Sequence, residues 1–172
     1  MVLPGVVRQI GYVVTDFDRT LAGLIELGIG PWFVLRGIEQ SGLYRGEPCT
    51  VTLTIGFANS GDMQFEVIHQ DNDVPSIYRE FTDAGHDGYH QLAYWAEDFD
   101  AALAAGAAAG WPVVWSGGQD VSARYAYFEP PTGGAATIIE LMELTPTTVG
   151  MAEFVRSAAQ NWDGSEPIRV LG

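Results

Sequence analysis

The chain contains no lysine. Its eight basic residues are all arginine and stand against 22 acids, giving a net charge of −14. Without a lysine amine, no side chain can form a Schiff base with a carbonyl substrate or with pyridoxal phosphate, so that chemistry is excluded. Nucleic acid is an unsuitable partner because phosphate binding needs clustered positive charge. Cys49 is the single cysteine, which rules out a disulfide framework and a thiolate zinc site. No apolar run is long enough to span a bilayer, and Met1 to Gly5 lacks the basic and apolar regions of an export leader. The expectation is a cytoplasmic protein that touches neither membrane nor nucleic acid, its acidity serving as a solvated surface.

What the chain has in abundance is repetition. Gln9-Ile10-Gly11-Tyr12-Val13-Val14-Thr15-Asp16-Phe17-Asp18 returns 82 residues later as Gln91-Leu92-Ala93-Tyr94-Trp95-Ala96-Glu97-Asp98-Phe99-Asp100. The same offset carries Leu21 onto Leu103 and Gly28 onto Gly110, so the register survives beyond one strand. A period this long in a chain of 172 residues means two fused half-domains, not a solenoid.

Alternation and turn chemistry predict the same order in both halves. In the first, a strand from Arg8 to Val14 precedes a helix capped by Asp16 and stopped after Leu27 by Gly28-Ile29-Gly30-Pro31. Trp32 to Arg36, Thr50 to Phe57 and Met63 to His69 read as strands, the last two separated by a turn at Ala58 to Asp62. A short helix near Pro75 to Ala84 links to the second half. That half reads as strand Tyr89 to Ala96, helix Asp98 to Ala109, then strands Pro112 to Trp115, Arg124 to Phe128 and Ala136 to Glu143. Helical spacing of Val149, Phe154, Val155 and Ala158 predicts a terminal helix within Thr147 to Trp162. The predicted fold class is α+β, with βαβββ modules at 1–74 and 89–145, a linker helix at 75–88 and a helical extension at 146–172. Together the modules form a cupped mixed sheet.

Side chains alternate across a strand, so Gln9 and Gln91 lie opposite the faces of Ile10 and Tyr12, Leu92 and Tyr94. If the helices cover the apolar faces, the concave face receives Gln9, Gln64, Glu66, Gln91 and Glu140, with Ile68, Ile138 and Met142.

This order and these paired positions resemble the vicinal oxygen chelate superfamily, which includes glyoxalase I, methylmalonyl-CoA epimerase, extradiol dioxygenases and bleomycin resistance proteins. The resemblance covers about Val7 to Leu144. The segments Gln9 to Asp16, Gly28-Ile29-Gly30-Pro31-Trp32-Phe33 and Tyr89 to Trp95 look closest to its epimerase and glyoxalase-like branch. It implies metal ligands on the first and last strands of each module, which fall here on Gln9, Glu66, Gln91 and Glu140. Where the superfamily commonly has histidine, this chain has Gln9 and Gln91. An all-oxygen set of this kind favours Mg²⁺ or Mn²⁺, or tolerates Ni²⁺ or Co²⁺, over zinc and iron. Without two imidazoles, extradiol cleavage is not expected. The alternative is a metal-free cluster in which the two Gln and two Glu bond each other.

His90 adjoins Gln91 but should face away from it unless a bulge at Tyr89-His90 shifts the register. His69 and His86 read as surface histidines. Trp32, Trp95, Tyr125, Tyr127 and Met142 are assigned to an apolar substrate pocket. The expected function is that of a metal-assisted isomerase, epimerase or lyase of the glyoxalase-like type on a small carbonyl-containing substrate, hydrophobic or cyclic in character. Glu140 is the first candidate for its base, and Glu66 is the other residue assigned to catalysis. Thr50 to Thr54 offers only hydroxyls where epimerase-like relatives are expected to carry a further acid, and few cations are free for a CoA phosphate, with Arg36, Arg45 and Arg124 as the available ones. The alternative is a metal-free small-molecule binding protein. Open strand edges predict a homodimer.

Overall fold

The computed structural model describes residues 2–3, 5–118, 123–131 and 138–171. Ala136 and Thr137, expected to begin the last strand of the repeat, lie outside the described residues.

Each repeat starts with a strand whose end feeds an aspartate-capped helix. After β1 (Val7–Val13), Asp16 accepts a hydrogen bond from the Arg19 amide and opens α1 (Phe17–Glu26). After β5 (Gly88–Ala96), Asp98 does the same for Ala101 at the start of α3 (Phe99–Ala108). A cap of this type satisfies an amide that the helix itself cannot. The first repeat continues through β2 (Trp32–Tyr44), β3 (Glu47–Ser60) and β4 (Met63–Gln70), and the second through β6 (Val113–Gly117), β7 (Tyr125–Phe128) and β8 (Ile138–Glu143). Between them lies α2 (Ile77–Asp83), capped by Ser76. The chain then runs through α4 (Pro146–Ala159) to β9 (Ile168–Val170).

Within each repeat the strands are ordered first, fourth, third, second: β1-β4-β3-β2 and β5-β8-β7-β6. Antiparallel pairing of β1 with β5 joins the repeats, and pairing of Gly42–Tyr44 with Trp115–Gly117 closes the circuit. The cup is therefore an eight-stranded mixed barrel with β9 added to the outside of β2. Closure within one chain pairs most strand edges of the barrel with each other and leaves β9 at the outer edge.

The barrel separates two kinds of core. Its inner face holds Val13, Val51, Leu53, Ile55, Ile68, Trp115, Tyr127 and Ile138, and α2 inserts Ile77 and Tyr78 among them. Outside, α1 covers Val14, Trp32, Val34 and Val67 with Phe17 and Leu21, while α3 covers Ala126, Phe128 and Leu141 with Phe99 and Ala102. Tyr12 and Tyr94 belong to these outer layers, as the alternation requires.

Two features depart from the sequence expectation. β2 runs to Tyr44 instead of ending near Arg36, because a register shift between Leu35 and Ile38, with Gly37 at a φ of 65°, bends the strand without ending it. Its second half has polar, exposed positions that no periodicity marks. β9 was not expected at all: three residues form a strand only because Trp32–Val34 offers a free edge. The tail reaches that edge by laying Trp162 over Gly30, where a Cβ would come 2.6 Å from the ring.

Candidate active site

Strand register places the inward polar residues in two adjacent rows. One row contains Gln64, Gln9, Ala93, Glu140 and Tyr127, and the next contains Glu66, Gly11, Gln91 and Ile138. The pairing is reciprocal: Gln9 lies opposite Ala93, and Gln91 opposite Gly11. Each repeat thus sets its glutamine beside the small residue of the other.

The symmetry breaks at the neighbours. Gln9 stands beside Gln64 and its Nε2 donates to Gln64 Oε1 at 2.8 Å. Gln91 stands beside Ile138, which offers no hydrogen bond, and its side chain crosses Gly11 instead. A Cβ at Gly11 would lie 2.5 Å from Gln91 Cδ and 2.7 Å from Nε2, so only glycine leaves this path open. Gln91 Nε2 then donates to Glu140 Oε2 at 2.9 Å, to Glu66 Oε2 at 3.1 Å and to the Tyr127 hydroxyl at 3.1 Å. Glu66, Gln91 and Glu140 therefore converge, and all three are buried. Gln9 sits one row away and makes no hydrogen bond with them; its Oε1 is buried without a partner.

His90 corrects the expectation from strand parity. Gly11 pairs with Gln91 and Tyr12 with Tyr89, so His90 is the extra residue of a bulge and turns inward beside Gln91. It is buried among Tyr78, Phe81 and Tyr127, and its Nδ1 lies 2.5 Å from Gln91 Oε1. Burial pushes its pKa down to about 4, leaving a neutral imidazole at neutral pH. It fixes the amide between the carboxylates. His90→Phe would keep a ring among the aromatic neighbours yet leave Gln91 Oε1 without a donor, a loss of about 1–3 kcal/mol in urea denaturation. No change in denaturation midpoint would show that His90 only packs.

Two carboxylates buried around one neutral amide cannot both ionise easily. Burial raises Glu140 to about 7. Burial first, then repulsion from Glu140, holds Glu66 well above the usual carboxylate range. The pair accordingly retains a proton at neutral pH, with Glu140 the group that ionises first.

The donor chemistry also fits a divalent cation. Glu66, Glu140 and the unpartnered Gln9 Oε1 are hard oxygens, and Gln91 becomes a fourth if its amide is turned over, since neutral His90 Nδ1 can accept as well as donate. Among the described residues there is no cluster of three or more His, Cys, Asp and Glu side chains suited to a metal. Any ion here would depend on the two amides.

The expected pocket residues divide. Tyr127 touches Gln91, and Tyr125 lies in the same inner cluster. Trp95 and Met142 are partners one row beyond Ala93 and Glu140. Trp32 is elsewhere: it packs beneath α1 outside the barrel, its indole donating to the Ile29 carbonyl, because β2 turns that position outward. His69 remains apart from the cluster, with Nδ1 at the Val14 carbonyl. The cations considered for a phosphate are all engaged, Arg36 with Asp18, Arg45 with Glu80 and Glu129, and Arg124 with Asp100 and Glu143. Sequence reasoning missed Tyr78, whose hydroxyl donates to that of Tyr127 from the linker helix. Nothing local to α2 marks it.

Comparison with known proteins agrees with this architecture. A family model of the Glyoxalase/Bleomycin resistance protein/Dioxygenase superfamily matches residues 8–128. Among solved structures, methylmalonyl-CoA epimerase from Mycobacterium tuberculosis shares 19% identity over 87% of this chain and 93% of its own, with a TM-score of 0.57. A variant of the Streptomyces coelicolor methylmalonyl-CoA epimerase in complex with 2-nitronate-propionyl-CoA shares 17% over 81% and 94%, at 0.56. A hypothetical protein from Bacillus halodurans C-125 shares 15% over 81% and 94%, at 0.59. At these identities the likeness is one of fold. No curated protein matches the chain by sequence.

Proposed function

The chain belongs to the glyoxalase/bleomycin resistance protein/dioxygenase superfamily, and on that premise we propose that it is an isomerase of the epimerase kind, moving a proton next to the carbonyl of a small, uncharged, largely apolar substrate. The observation that carries this reading is the buried Glu66–Glu140 pair held by one amide, with Glu140 poised near 7 and Glu66 protonated.

An ionised Glu140 takes the proton from the carbon α to the carbonyl, while the protonated Glu66 supplies one in return. A base is most effective when its pKa lies near the working pH, and burial provides that shift. Gln91 sets the separation of the two groups, and His90 and Tyr127 hold Gln91. The inner face of β3 is apolar, with Val51, Leu53 and Ile55, so no further acid is available there and both roles fall to this pair. Glu66, Glu140, Gln91 and Gln9 would hold a divalent cation, Mg²⁺, Mn²⁺, Ni²⁺ or Co²⁺ before zinc or iron, and such an ion would stabilise the negative charge that develops on the substrate oxygen. The relatives include an epimerase bound to a CoA compound. Here the engaged arginines and the chain's net charge of −14 favour an uncharged substrate.

The proton-transfer reading is tested by incubating the protein in deuterium oxide with uncharged cyclic and aryl ketones and with methylmalonyl-CoA, with and without added Mn²⁺ or Ni²⁺. Deuterium should enter the α position of an uncharged compound faster than that of the CoA ester. Absence of protein-dependent exchange throughout would favour a second reading, a metal-free binding protein of the same fold. That reading is favoured by the Gln91 Nε2 group already lying between the carboxylates.

A further inference from the structure

A cavity of about 940 Å³ lies between α4 and the rim of the barrel where β5 ends, walled by Trp95, Asn59, Arg8, Leu144, Val149 and Ala152. Its position relative to the carboxylates follows from the register. Asn59 pairs with Gln64, and Gln64 holds Gln9; Trp95 follows two residues after Ala93, the partner of Glu140. The cavity wall is thus one pleat from the row that contains Glu140.

The polar atoms between the two places are unmet. Asn59 is buried and its Nδ2 donates to the Gly61 carbonyl, an acceptor only, which fixes Oδ1 as the atom without a partner. The Trp95 indole nitrogen and Gln9 Oε1 also lack partners. Buried donors and acceptors left unmatched are costly, and a gathering of them on the inner rows is unusual unless something else completes the bonding. An occupant must offer at least one donor and one acceptor.

Charge narrows the class. The wall has Arg8 and Arg156 against Asp62, Glu97, Asp98 and Glu153, and Arg156 is already paired with Glu153 at 2.7 Å. An anion entering this excess of acids is repelled, whereas a neutral molecule is not. The apolar share of the wall, Trp95, Leu144, Val149 and Ala152, suits an aliphatic or aromatic body.

The geometry points to this cavity as a binding site for an uncharged small molecule with an apolar body and a hydroxyl or amide head. The helix α4 roofs it. If the proton-transfer reading holds, the occupant is the substrate, its head directed along the unmet atoms toward Glu140; the binding itself does not depend on that chemistry. The roof is supplied by α4, which lies beyond residues 8–128, the part matched by the family model.

The test uses the full chain and benzyl alcohol, whose hydroxyl both donates and accepts. Titration should move the Trp95 indole N–H signal, identified by its loss in Trp95→Phe, saturably with a dissociation constant of about 1 mM or tighter. Ala152→Trp and Val149→Trp, which fill the cavity from its α4 wall, should each weaken binding at least about tenfold, as should replacing the alcohol with benzoate. Asn59→Ala should weaken it about tenfold through one lost hydrogen bond. No saturable shift, or unchanged binding in both tryptophan variants with native circular dichroism, overturns the site. Benzoate binding as well as the alcohol overturns the ligand class. Normal binding with no deuterium exchange in wild type would reject the reaction and keep the site.

Discussion

Glu140→Gln is expected to reduce α-proton exchange by about a thousandfold, the scale of a lost general base, and at the same time to make the metal-free protein more stable. The second half follows from linkage. Glu140 is raised by burial from 4.5 to about 7 in the folded chain. A carboxyl raised on folding contributes its full stability below the unfolded pKa and loses it as pH rises through the folded one. Above about pH 7 the wild type therefore holds an unfavourable buried charge that glutamine lacks, while keeping an oxygen to accept from Gln91. In chelator at pH 8 the gain should be on the order of 3 kcal/mol in urea denaturation, and it should vanish near pH 4. Added Mn²⁺ should narrow the difference by stabilising only the wild type. Equal stability of the two proteins at pH 8 would mean that Glu140 ionises without cost and that the proposed tuning is wrong.

Gly11→Val should also damage exchange and, unlike the Glu140 change, should destabilise. The Gln91 side chain passes through the space that a Cβ at Gly11 would take. Valine displaces it, so the amide no longer bridges Glu66 and Glu140, and the two carboxyls lose their only described hydrogen-bond donor. Overpacking adds about 1–3 kcal/mol of strain, and misplacing the pair should cost about a hundredfold or more in exchange. The equivalent change in the other repeat, Ala93→Val, meets Gln9 instead, which binds Gln64 and not the carboxylates. It should cost less activity than Gly11→Val. A Gly11→Val protein that exchanged protons normally would show that Gln91 has no part in the reaction.

Much of this was legible because the chain states its fold twice. The repeated Gln-x-small-Tyr phrase, followed by an aspartate cap, marks both a strand and the helix over its outer face, and alternation then selects Gln9, Gln91, Glu66 and Glu140 as inward residues. What alternation could not supply was the difference between the halves. A single bulge turns His90 inward, and the exchange of Gln64 for Ile138 at matching positions decides that Gln9 binds locally while Gln91 reaches the carboxylates. Trp32 was misplaced because aromatic residues suit both faces of a strand, and its neighbours gave no polar marker of side. β9 and Tyr78 arise from tertiary pairing and from a linker helix, whose destinations no local pattern records.

The central claim is that Glu66 and Glu140 form one coupled, proton-sharing unit. It is tested most directly by ¹³C NMR titration of glutamate carboxyls in chelator-treated protein, with Glu66→Gln and Glu140→Gln variants to assign the two signals. The account predicts that one carboxyl titrates near 7, that the other also titrates well above the usual carboxylate range, and that Glu140→Gln lowers the Glu66 transition by removing the repelling charge. Two independent titrations in the ordinary carboxylate range near 4.5, unchanged in the variants, would contradict it.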